Sequence, residues 1–148
     1  MKLNKKLLLL TVLIILLPAL LGVLKWNDLP EAMATHFDIH DQPDGYSSKA
    51  FAVFGLPLFL AASQVFTVII VAADPKKQNL SPRIGAMIYW IIPLIGTLTN
   101  GLVYAQNLGF HFSVGKVIFS GVAVLFIVIG NYLPKCRQNY TVGIRLPW

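Results

Sequence analysis

What this sequence has least of is charge. Only 12% of its 148 residues are Asp, Glu, Lys or Arg, against 56% hydrophobic, and the mean hydropathy is +0.69. A soluble domain carries about 25% charged residues, so a water-facing shell cannot be assembled from so few. An ordinary soluble globule, a disordered chain and a disulfide scaffold are excluded, which leaves an integral membrane protein. Cys136 is the single cysteine, so no intramolecular disulfide can form. No glycine pair has the G-x-x-x-G spacing, so close glycine-faced helix dimerisation has no signature here.

What is present is four long apolar runs, at about 7–24, 50–73, 84–105 and 117–133. Each is too long for a strand and long enough to cross a bilayer core of about 30 Å as a helix. The fold expected is all-α, a single membrane domain built as a bundle of four transmembrane helices. Pro18, Pro57 and Pro93 lie inside these runs and are expected to kink them, with neighbouring helices satisfying the carbonyls they free. The lysine-rich start has the look of a signal peptide, but no A-x-A site directly follows the first run. An uncleaved first helix is therefore expected.

The few charges are sorted by loop. Lys2, Lys5, Lys6, Lys76, Lys77, Arg83, Lys135, Arg137 and Arg145 flank one side of the runs, with Asp74 as the sole acid. The other side holds Lys25, Lys49 and Lys116 against Asp28, Glu31, Asp38, Asp41 and Asp44. Basic residues are retained in the cytoplasm, so both termini are expected on the cytoplasmic side of a membrane, with loops 25–49 and 106–116 outside. The basic excess then reports orientation and attraction to the lipid bilayer, and no direct nucleic-acid partner is expected. Within the runs there is no Asp, Glu, Lys, Arg or His, which disfavours a proton-driven transporter. Gln64 and Asn100, the main polar residues at mid-span, read as interhelical hydrogen-bonding groups worth about 0.6–2 kcal/mol each.

Two segments outside the lipid stand out. In loop 25–49, Pro43-Asp44-Gly45 is a turn signal, with proline presetting one dihedral and glycine accepting a positive one. Phe37, Ile39 and Tyr46 give the loop something to bury, so it is expected to be ordered. His36, Asp38 and His40 alternate, and His111 sits in the other outside loop, so all the histidines share one side. In an extended stretch residues 36, 38 and 40 point the same way and could converge on a divalent metal such as zinc. That arrangement is the basis of an enzymatic alternative, a membrane-embedded hydrolase whose metal activates water. The competing reading is a polar surface loop with no cofactor, and the acids do not have EF-hand spacing. The second segment, 130–148, combines basic and aromatic residues in the manner of an interfacial anchor, while Asn131, Asn139, Gly130 and Gly143 point to specific backbone turns. Cys136 lies between Lys135 and Arg137, which would lower a thiol pKa, but has no nearby histidine; no catalytic residue is assigned.

Together the two segments resemble the SdpI-like immunity protein family of bacteria. The family's external loop, L-P-x-x-x-x-x-H-[FW]-[ND]-x-x-G-x-P-D-x-x-x-S-K, is matched by Leu29, Pro30, His36, Phe37, Asp38, Pro43, Asp44, Ser48 and Lys49, with Asp41 where the family usually has glycine. Its second signature, G-N-Y-x-x-K-x-[RK]-x-N-x-x-x-G-I-R-x-P-W, is matched by Gly130, Asn131, Tyr132, Lys135, Arg137, Asn139, Gly143, Ile144, Arg145, Pro147 and Trp148. The resemblance implies immunity of a producing cell to its own secreted peptide toxin, joined in the best-known member to signalling that holds a cytoplasmic repressor at the membrane. The external loop would then sense toxin, and the second signature with the basic loops would form the docking surface. Family members usually continue past the Pro-Trp into at least one more helix pair, whereas this sequence ends at Trp148.

Overall fold

The computed structural model describes residues 3–135 and 137–142. Its helices are α1 (Lys5–Leu24), α2 (Leu56–Ala73), α3 (Pro82–Asn107) and α4 (Val114–Tyr132), with a π-helical turn at Phe51–Gly55 leading into α2. With that turn counted into α2, all four are long and apolar enough to cross a membrane, the layout of a multi-pass membrane protein. The all-α expectation needs one correction. Loop 25–49 folds into an antiparallel hairpin, β1 (Ala32–Phe37) and β2 (Pro43–Ser48).

Helix starts follow capping chemistry. Asn4 accepts from the Leu7 N–H, Ser81 from Ile84 and Ser113 from Lys116, each satisfying a donor that the first turn leaves free. Pro82 sits in the first turn of α3, where a missing N–H does no harm.

The interior prolines behave differently from one another. Pro18 removes the N–H that would bond the Ile14 carbonyl, and Thr97 Oγ1 on α3 donates to that carbonyl instead, at 3.4 Å. Pro93 likewise frees the Tyr89 carbonyl, and Gln64 Nε2 on α2 donates to it at 3.0 Å. In lipid no water can take these places, so side chains of neighbouring helices do. Pro57 was expected to kink its span. The π turn at Phe51–Gly55 immediately precedes it, and widening the backbone there makes room for a ring that cannot continue the α ladder.

These bonds tie α1, α2 and α3 into a packed trio. One buried cluster, Val68, Val71, Leu80, Ile84, Ile88 and Tyr89, lies toward the end of the bundle where α1 begins; another, Leu29, Met33, Ala52, Val53 and Tyr104, lies beneath the hairpin. Helix α4 stands apart. It contacts α3 but has no buried residue. Of the expected interhelical groups, Gln64 bridges helices, whereas Asn100 Nδ2 donates to Gly96 in its own helix at 2.8 Å.

The proline bonds predict a non-additive pair. Gln64→Leu should cost about 1–2 kcal/mol in the Pro93 background, because the Tyr89 carbonyl then has no donor. In a Pro93→Ala background the backbone N–H returns and most of that cost should vanish. Unfolding in detergent micelles measures both, and equal costs in the two backgrounds would refute the account.

Candidate functional site

The hairpin is built by the residues singled out in the sequence. Asp38 Oδ1 accepts from the N–H groups of His40 and Gln42, both at 2.8 Å, and its own N–H donates to the Gln42 carbonyl at 2.9 Å. These bonds close the turn at 38–42. The positive dihedral falls here and not at Gly45: Asp41 has φ +61°. Asp tolerates this left-handed region better than most residues, so it can stand where the SdpI-like loop pattern has glycine. Pro43-Asp44-Gly45 is therefore not the turn; it begins β2. Gly45 is required for another reason, since a Cβ there would lie 2.8 Å from the His36 Cβ across the sheet. His36 Nδ1 pairs with Asp44 Oδ1 on the exposed face.

The remaining members of the loop signature position the hairpin on the bundle. Ser48 Oγ accepts from the Phe51 N–H at 3.3 Å. Lys49, 6% exposed, donates to the Trp26 carbonyl at 3.1 Å, pairs with Glu31 at 2.9 Å and lies 5.1 Å from the centre of the Trp26 ring. Its charge is thus desolvated but paired, which fixes the 26–31 segment to the start of the second span. Pro30 is exposed beside the buried Leu29, and Phe37 pairs with Pro43 in the ladder.

Two residues outside that signature clip the hairpin to the helices. Asn107, at the end of α3, accepts from the Ala34 N–H and donates to the Ala34 carbonyl, both at 2.9 Å, so its amide acts as a one-residue strand against β1. Asp41 accepts from Ser113 Oγ and, at 2.7 Å, from the Gly115 N–H, seating a carboxylate on the first turn of α4. The Ser113 hydroxyl, the Gly115 N–H and the nearby Lys116 charge hold the Asp41 carboxyl below its usual range, outweighing its partial burial. Sequence spacing gave no sign of Asn107. For Asp41 the departure from the glycine pattern was the signal.

Metal candidates His36, Asp38, His40 and His111 do not converge. Among the described residues no group of three His, Cys, Asp or Glu side chains is placed to hold an ion. The physical reason is the hairpin itself: His36 is turned to Asp44, and Asp38 is held in the turn through Oδ1, away from the other candidates.

The opposite end of the bundle has its own knot. Asp74, 4% exposed and following α2, accepts from the Lys76 N–H at 2.7 Å, and from the Tyr140 N–H and Thr141 Oγ1 at 3.0 Å each. Burial pushes its carboxyl up, but these hydrogen bonds prevail and hold it below the ordinary range. Asn139, 2% exposed, folds the segment by accepting from the Thr141 and Val142 N–H groups at 3.0 and 2.8 Å. Asn79 donates to the Gln138 carbonyl at 2.7 Å, the Arg137 carbonyl accepts from Asn139, and Arg83 lies over the Tyr132 ring at 5.9 Å. Asn131 ends α4 with Tyr132, and the Lys135 backbone closes a short 3-10 turn. The remaining signature positions, Gly143, Ile144, Arg145, Pro147 and Trp148, lie outside the described residues, as do Cys136 and Lys2.

A domain of unknown function, DUF1648, matches residues 13–61, which run from within α1 through the hairpin to the first turns of α2. Neither the curated proteins nor the solved structures contain a match to the chain.

The latch at Asp41 makes separable predictions. Asp41→Gly should keep the hairpin turn, since glycine adopts the positive φ freely, yet release the start of α4. Amide exchange at Gly115 should quicken in Asp41→Gly while exchange at Gln42 stays unchanged. A carboxyl depressed on folding stabilises fully above its ordinary value of 3.8 and loses that contribution as pH falls through the lower folded value. The wild-type latch should therefore hold throughout the neutral range and open only in acid below 3.8. Unchanged exchange at Gly115 in the glycine variant would remove the latch.

Proposed function

We propose that this chain is a multi-pass bacterial membrane protein that gives immunity to a secreted peptide toxin. Its hairpin is the extracytoplasmic sensing surface, and both termini are cytoplasmic. The observation that carries the reading is the folded hairpin itself. The loop signature shared with the SdpI-like family is spent on building it and seating it on the bundle, while Asn107 and Asp41 clip it to α3 and α4, with Ile39 89% exposed at its tip and Tyr46 63% exposed on β2. A segment so firmly held, bearing apolar groups in water and no grouped catalytic side chains among those described, suits recognition better than chemistry. Charge placement supports the orientation: five of the six acids gather on the hairpin side, and Lys5, Lys6, Lys76, Lys77, Arg83 and Arg137 on the other. Signalling to a cytoplasmic repressor is the extension of this reading, with the basic end and residues 131–142 as its surface.

Orientation is tested with a Cys136→Ser chain carrying one new cysteine. A membrane-impermeant maleimide applied to intact cells should label Gln42→Cys and leave Gln78→Cys untouched; the reverse pattern would invert the topology. Function is tested by survival of a toxin-sensitive bacterium expressing the chain. Wild type should protect, and Ile39→Ser with Tyr46→Ser should lose protection at equal membrane abundance. Protection that persists when His36, Asp38 and Asp44 are all replaced by alanine would end the hairpin's role. No protection by the wild type would end the immunity reading.

A further inference from the structure

The seam between α3 and α4 is open along its length. At the hairpin end a cavity of about 460 Å³ lies between β1 and the two helices, with Thr35, His36 and Asp38 on its polar side and Leu102, Ile118 and Phe119 on its apolar side. Ile118 also lines the next cavity, again about 460 Å³, walled by apolar side chains that include Trp90, Leu94, Leu98, Val122 and Leu125. A third, of about 150 Å³, shares Met87 and Ile91 with it and ends at Tyr132 and Val142. Helix α4, at 19 residues, is about 28 Å long, close to the full thickness of a bilayer core. A lipid acyl chain reaches through one leaflet, about half that distance. A groove running the whole length of α4 fits a spanning helix better than an acyl chain.

We propose that the seam is filled by α4 of a second copy of this chain, in a two-fold dimer whose axis runs along the membrane normal. The arrangement is self-complementary, because one operation fills both seams and covers both copies of α4, alone among the described spanning helices in having no buried residue. Charge agrees with depth. Copies inserted in the same direction bring the first turn of one α4 level with the polar cavity of the other. Lys116 is exposed on that turn; its charge is felt by the nearby Asp41 carboxylate, but it closes no ion pair among the described residues. Asp38 lines the cavity, and the turn at 38–42 occupies only its Oδ1, which leaves Oδ2 to receive the ammonium. No glycine-faced crossing is involved; the partner helix enters a groove that is already open.

The test is photo-crosslinking of the full chain in membranes of expressing cells, with benzoylphenylalanine placed at Leu94 in the seam or at Phe59, which is equally lipid-exposed on α2. A product of twice the monomer mass should form several-fold more at Leu94 than at Phe59. Equal yields at the two positions, or Leu94 adducts with lipid alone or with a different protein, would overturn the dimer. Two variants then ask whether the seam is the interface. Gly121→Trp should fill the seam from within and suppress the product, whereas Gly121→Ala should not, because a Cβ there meets only Leu98 at 3.4 Å. Lys116→Glu leaves the packed trio untouched but reverses a charge beside the Asp41 latch, so Gly115 amide exchange is read alongside it; with the latch intact it should lower the yield several-fold while Lys116→Arg retains it. A yield unchanged by both Gly121→Trp and Lys116→Glu would place the contact elsewhere and overturn the proposal.

Discussion

Two backbone carbonyls, those of Ile14 and Tyr89, govern how this bundle is assembled. Each is stripped of its helical donor by a proline four residues on, and each lies where water is absent. The donors come from other helices, Thr97 and Gln64, so satisfying the backbone of α1 and α3 also fixes which helices touch and at what height. In a membrane the hydrophobic effect does not distinguish a helix neighbour from lipid, so such directional bonds carry much of the specificity. The trio α1–α2–α3 has them and packs. Helix α4 has no proline within it, so no carbonyl of its interior is freed, and it packs only loosely.

The hairpin depends on that trio for its footing and in turn determines where α4 begins. Lys49 and Asn107 attach it to the trio, and Asp41 attaches it to α4. A left-handed residue with a carboxylate does two things that glycine cannot combine: it completes the turn at 38–42 and reaches a helix N-terminus. The loop signature thus encodes a platform, and the departure from it encodes a link to the helix that the trio leaves unburied.

Much of this was legible in the sequence, for physical reasons that differ by element. The four spans were plain because apolar length alone identifies them, although their ends moved by a few residues where Ser81 and Ser113 cap α3 and α4. The rescue of proline carbonyls was expected in kind, but the partners Thr97 and Gln64 could not be paired with Ile14 and Tyr89 without knowing helix rotation. The hairpin was missed as strands because its alternation is broken by a bulge between Ala34 and His36 and because β2 opens with Pro-Asp-Gly, which reads as a turn. Histidines that alternate in sequence looked like ligands; the fold spends one on Asp44 instead. Asp74 was noticeable as the lone acid among basic residues, yet its ties to Tyr140 and Thr141 depend on long-range closure that no local pattern reports.

Helix α4 is held at its two ends and nowhere firmly between them. Asp41 secures its first turn, and the segment that follows its last turn is secured to Asp74 and Asn79. Support in this way opposes sliding and rotation at the ends, while the middle, near Gly121, leans on α3 through Leu98. The two ties thereby keep the hairpin face and the opposite face of the bundle in register with each other.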